Sequence, residues 1–181
     1  MADKSKRKWA GPWLAAILGI GLAAAPAPLA AQNEALQSGA EIETQQFEDW
    51  VLRCQPESET QPRACRIRQN IIAEDSGNTV LQVVAGRFGP EKVLGAVIFV
   101  PVGVRLPPGI RIQVDERPPR VFPFEVCDSE TCQVRAILEG GLLEDFKAGM
   151  AGQVNFQNAA GQSRTVPISL KGFTAALRAL P

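Results

Sequence analysis

The chain has 181 residues, with 19 basic and 19 acidic side chains, four cysteines and no histidine. Charge balance of this kind argues against non-specific nucleic-acid binding, which requires a basic stripe to displace counterions from phosphates, so no nucleic-acid partner is expected. The missing histidine removes the usual general base of serine and cysteine hydrolases.

Lys4, Lys6, Arg7 and Lys8 precede an apolar run from Trp13 to Ala25, which Pro26 and Pro28 stop, and small residues follow at Ala30 and Ala31. A basic start, a short apolar stretch and a small-residue site predict a signal peptide over residues 1–31, cleaved before Gln32. The run is too short for a membrane anchor, which takes about 20 apolar residues. No later segment offers a span, so the mature chain is expected to lack a transmembrane segment. Its location is then periplasmic, cell-envelope or secreted, and peripheral association with the envelope fits. The mature chain is mildly acidic, because four cations leave with the leader and Asp3 is the acid that goes with them. Its length suits one domain.

Residues 32–46 are polar and aperiodic and are expected to form a flexible N-terminal arm. The domain is predicted over residues 47–181. In "DWVLRC", Trp50, Leu52 and Cys54 share one side of a strand. In "CRIRQNI", Cys65, Ile67, Gln69 and Ile71 share a side, alternating with Arg66 and Arg68. "TVLQVVAG" and "VLGAVIFV" form a hairpin around Gly89 and Pro90. Residues 101–109, with three prolines and two glycines, form a constrained exposed loop. Ile110, Ile112 and Val114 then mark a half-buried strand, "ERPPRVFP" breaks it, and Phe122, Phe124 and Val126 suggest a further strand running into Cys127.

"CDSETC" closes a hairpin whose second strand carries Cys132, Val134, Ala136 and Leu138 on one face. "GLLEDFKAG" predicts a short helix with Leu142, Leu143 and Phe146 inward. "QVNFQNAAGQSRTVPISL" reads as strand, turn and strand, and "GFTAALRAL" as a C-terminal helix burying Phe173, Ala176, Leu177 and Leu180. Many short strands with one short helix and a C-terminal helix predict a mainly β fold, a β-sandwich.

Four cysteines in an exported chain are expected to pair. Of three connectivities, Cys54 with Cys65 and Cys127 with Cys132 is favoured, since each pair flanks a loop between neighbouring strands. Closing those loops would restrict the unfolded chain by roughly 3 and 2 kcal/mol. A redox role for Cys127 and Cys132 is weaker: four residues intervene, and Asp128 and Glu130 would discourage a thiolate. With no Cys-x-x-Cys and no histidine, a zinc site is weaker still, and no metal or cofactor is expected. A Ser169–Lys171 pair could serve catalysis if "SLK" is extended, but a polar edge is the simpler reading. Glu48 with Asp49, Asp115 with Glu116, and Glu144 with Asp145 read as solvated charge, and no catalytic residue is assigned. Arg105, Arg117 and Arg120, set among prolines, are candidate contacts for an acidic protein or envelope partner, against the plainer reading of surface charge. Trp50 reads as a core aromatic.

Taken in order, "DWVLRC" with "CRIRQ", "PVGVRLPPGIRIQVD", "CDSETCQV", "LLEDFKAG" and "ISLKGFTAAL" resemble the invasion-associated locus B family of exported bacterial proteins, across residues 47–180. The resemblance implies an immunoglobulin-like β-sandwich with Cys54, Cys65, Cys127 and Cys132 as the family's cysteine positions. It implies an association with host-cell invasion in pathogenic members and carries no catalytic residue. The reading that follows is a non-enzymatic binding module, with a thiol-disulfide or hydrolytic enzyme as the alternative.

Overall fold

Alternation of apolar and polar side chains governs nearly every strand in the computed structural model, which describes residues 42–181. The leader and residues 32–41 of the expected arm lie outside the described residues. Strands β1 (Glu43–Phe47), β2 (Trp50–Gln55), β3 (Ala64–Ile72), β4 (Thr79–Phe88), β5 (Val93–Pro101), β6 (Ile110–Val114), β7 (Arg120–Phe122), β8 (Val126–Cys127) and β9 (Thr131–Ile137) come first. Helix α1 (Gly140–Ala148), strands β10 (Ala151–Gln157) and β11 (Ser163–Ser169) and helix α2 (Phe173–Arg178) complete the chain. A seven-stranded antiparallel sheet runs β1-β2-β3-β4-β5-β9-β8, and a four-stranded one runs β11-β10-β6-β7.

Period-two patterning puts Trp50, Leu52, Ile67, Leu81, Val83, Ile98, Val100 and Val134 on the inner face of the large sheet. Ile110, Ile112, Val114, Val154, Val166 and Ile168 line the facing sheet, and all enter one core. The helices close an open side. Phe146 of α1 and Trp50 both meet Phe173 of α2 edge-on, at centroid distances of 5.5 and 5.0 Å. Trp50 is fully buried, as the sequence suggests.

Two boundaries differ from expectation. Glu43 to Gln46, assigned to the arm, are paired along β2; an edge strand exposed on both faces has no apolar alternation to reveal it. The strand expected through Phe122, Phe124 and Val126 is two strands in different sheets. Arg120 to Phe122 pair with β6, while Val126 and Cys127 pair with β9. Pro123, without an N–H to donate, ends the first pairing where the chain changes sheets. Gly109 permits the β6–β7 approach: a Cβ there would lie 2.3 Å from the Phe122 carbonyl oxygen.

One buried polar side chain joins the two sheets. Gln69, on the inner face of β3, donates from Nε2 to the Asp49 and Ser169 carbonyls, each at 3.1 Å. Its Oε1 accepts from the Ser169 N–H at 2.9 Å. Trp50 Nε1 donates to the same Ser169 carbonyl at 2.9 Å. Residues of β2 and β3 thereby grip the last residue of β11 across the sandwich.

Candidate functional site

Arg117 and Arg120 leave the β6–β7 connection on either side of Pro118 and Pro119 and converge on a single carboxylate. Arg117 Nε lies 3.2 Å from Asp145 Oδ1, and its Nη1 donates to the Asp145 carbonyl at 3.1 Å; Arg120 Nη2 lies 3.2 Å from Oδ2. Asp145 projects from α1, which is anchored by the buried Leu142 and Phe146. Gly141 of α1 leaves room for Arg120: a Cβ there would meet Nη2 at 2.9 Å. One carboxylate faces two guanidiniums, so the cluster keeps a net positive charge, and both arginines remain partly exposed.

Arg105 is elsewhere. Its N–H donates to the Gln157 carbonyl at 2.9 Å, and its guanidinium lies over the Gly161 turn. The Arg117 N–H bonds to Val114, which is in register with Gly152. Five residues of β10 thus separate the two anchor points, roughly 17 Å at strand rise. The structure brings Arg117 and Arg120 together and sets Arg105 at the far end of the sheet.

The cysteines join as Cys54–Cys65 and Cys127–Cys132, with Cα–Cα distances of 4.0 Å in both. Each pair sits directly opposite in register on adjacent strands of the large sheet. Antibody-type sandwiches place their disulfide between sheets; here that role falls to the Gln69 and Trp50 hydrogen bonds. Cys54, Cys65 and Cys132 are buried, and Cys127 is exposed. Beside Cys127, Asp128 Oδ1 accepts from the Thr131 and Glu130 N–H groups at 2.7 and 2.8 Å. These bonds hold its carboxyl below the usual carboxylate range. A fixed negative charge next to a sulfur opposes thiolate formation.

Three acids that read as solvated charge have structural duties. Asp145 gathers the arginines, and Asp115 accepts from the Met150 and Ala151 N–H groups at 3.2 and 3.0 Å. Asp49 accepts from the Ser169 hydroxyl at 2.6 Å. That bond also answers the Ser169–Lys171 pairing: the Ser169 hydroxyl is directed at Asp49 and accepts from the Lys171 backbone N–H at 3.2 Å, not from its ammonium. The sequence missed these acceptors because each partner lies in another element. A candidate could have been drawn from the "SLK" and "DW" segments only by knowing that β11 ends over β2.

The model for the invasion associated locus B protein family matches residues 50–181, across both sheets, both disulfides and both helices. The chain belongs to the invasion-associated locus B family. Invasion protein B homologues of Brucella abortus strains 2308 and 9-941 are each 29% identical over 164 residues, covering 87% of this chain and 92% of theirs. The crystal structure of invasion associated protein B from Bartonella henselae superposes with a TM-score of 0.65 at 18% identity, covering 75% of this chain and 94% of that one. The locus B fold is therefore shared with that protein. Among the described residues, no helix is long and apolar enough to cross a membrane.

Proposed function

We propose that this locus B protein works after export as a non-enzymatic interaction module of the cell envelope, periplasmic or secreted, meeting an acidic partner through the Arg117–Arg120 surface. The carrying observation is the convergence of two guanidiniums on one Asp145 carboxylate. That pair is held in place by a packed helix, keeps unspent donors and carries excess positive charge, which suits bidentate recognition of carboxylates. The exposed Pro118 and Pro119 between the two arginines stiffen the connection that presents them. Two register-matched disulfides support an oxidising destination, as does the leader-like N-terminus. The relatives' names associate those proteins with invasion, and a surface contact of this type is compatible with such a role.

The test is site-directed photo-cross-linking in intact exporting cells, with the cross-linker at position 118, between the two arginines, and, as a comparison, at exposed Val93. A discrete product from position 118, absent from 93 and lost in Arg117→Gln/Arg120→Gln, is expected. No product, or one indifferent to the two arginines, would remove this surface from the function. N-terminal sequencing of the exported protein is expected to begin near Gln32; a start at Met1 would contradict export with cleavage.

A further inference from the structure

The outward face of the large sheet carries a second cationic group, independent of the loop arginines. Arg53 on β2 and Arg66 on β3 are directly opposite in register. Arg68 follows two residues along β3 on the same face, roughly 7 Å further on. Like charges facing each other across a strand pair destabilise a sheet. Among the described residues, none of the three forms an ion pair.

Arg66 is also held in position. Its guanidinium stacks 4.6 Å from the Phe88 ring centroid, and Nη1 donates to the Cys65 carbonyl at 2.7 Å. It lies in a trough that exists because residue 86 is glycine, since a Cβ there would stand 2.5 Å from Arg66 Cδ. Partial burial pulls its pKa below the ordinary value, yet a guanidinium stays charged. The three arginines line a groove of about 340 Å³ together with Gln55, Gln82 and Val84. One fixed cation, Arg66, and two further cations without an ion pair among the described residues, grooved beside side-chain amides, describe an anion site with neighbouring hydroxyl recognition.

We propose that this groove binds a phosphate ester on a hydroxyl-bearing group, with the phosphate between Arg53 and Arg66 and Arg68 taking a further oxygen. The amides of Gln55 and Gln82 meet the hydroxyls. A phosphorylated saccharide in solution and the phosphorylated headgroup of a lipid share this chemistry.

The test titrates the purified protein with glucose 1-phosphate, with glucose, and with phosphatidylcholine vesicles with and without phosphatidylglycerol. Binding of the phosphorylated probe over its neutral counterpart is expected, weakening as salt rises. Glucose 1-phosphate binding assigns a free ester, and binding to phosphatidylglycerol vesicles alone assigns a headgroup. Arg53→Gln/Arg68→Gln is expected to weaken binding at least 10-fold, while Arg164→Gln/Arg178→Gln, which removes the same charge elsewhere, leaves it within 2-fold. Arg53→Glu supplies the variant that keeps its fold: it sets a carboxylate opposite Arg66, so binding is lost while the melting temperature holds or rises. The proposal is overturned if neither phosphorylated probe binds, if both double variants behave alike, or if Arg53→Glu melts well below wild type.

Discussion

Replacing Gln69 by leucine tests the claim that a few polar contacts carry the connection between sheets. Gln69 is 7% exposed and makes three hydrogen bonds, two from Nε2 and one to Oε1. Each is worth about 1 kcal/mol net, and a buried donor left without a partner costs about 1–3 kcal/mol more. Leucine is close in volume and returns some apolar burial, so the net loss should be about 3 kcal/mol. For a domain of this size that lowers the melting temperature by roughly 10 °C. Trp50→Phe removes one donor from the Ser169 carbonyl, which Gln69 still serves, and should cost about 1 kcal/mol. The double variant leaves that carbonyl with neither donor, so its loss should exceed the sum of the single losses. Urea unfolding of the four proteins closes the cycle. A Gln69→Leu protein within 0.5 kcal/mol of wild type, or strict additivity in the cycle, would refute the reasoning.

The staples should be unequal: Cys54→Ala/Cys65→Ala, with a sequence separation of 11, should lose about 3 kcal/mol, and Cys127→Ala/Cys132→Ala, with a separation of 5, about 2 kcal/mol, as read from urea unfolding. In a mild-reductant titration followed by mass spectrometry, Cys127–Cys132 should open first, because Cys127 is exposed. Asp128 is depressed in the folded state by the Thr131 and Glu130 N–H bonds, so its contribution is present above its unfolded pKa of about 3.9 and is lost as pH falls through the lower folded value. The Thr131 amide shift in NMR should therefore titrate below pH ~3.9, and a midpoint at or above that value would contradict the assigned bonds. Gly172, at φ +80°, approaches the Phe47 carbonyl so closely that a Cβ would stand 2.1 Å from its oxygen. Gly172→Ala should cost at least ~2 kcal/mol by strain and collision, with amide exchange accelerated in β1; unaltered exchange at Phe47 would refute that contact.

Elements with one buried face were legible because their alternation is written in the chain: β2 through β6, β9 and both helices fall where their apolar spacing puts them. The cysteine partners were foreseeable for a related reason, since each pair brackets a single strand connection. What stayed hidden was anything defined across the sandwich. β1 has no buried face to betray it, and β7 and β8 look like one strand until Pro123 sends them to different sheets. Gln69 reads as an ordinary inward position, and nothing local distinguishes Asp145, which gathers two arginines, from its neighbour Glu144. Arg105 shares a proline-rich setting with Arg117 and Arg120 and not a place, because sequence proximity to proline fixes a loop's stiffness and says nothing about which end of a sheet it decorates.

The strands at the margins of the two sheets bear on life at high concentration. β8 has two residues and β7 three, β11 carries Pro167, and β1 reads "ETQQF" with Glu43 tied to Arg63. None of these margins offers a long, flat, apolar row of free backbone groups to a second chain, and each is blunted by shortness, proline or polarity. Borders of this kind disfavour fibre-like stacking of one copy on the next and leave side chains, more than free backbone groups, at the margins of the described sheets.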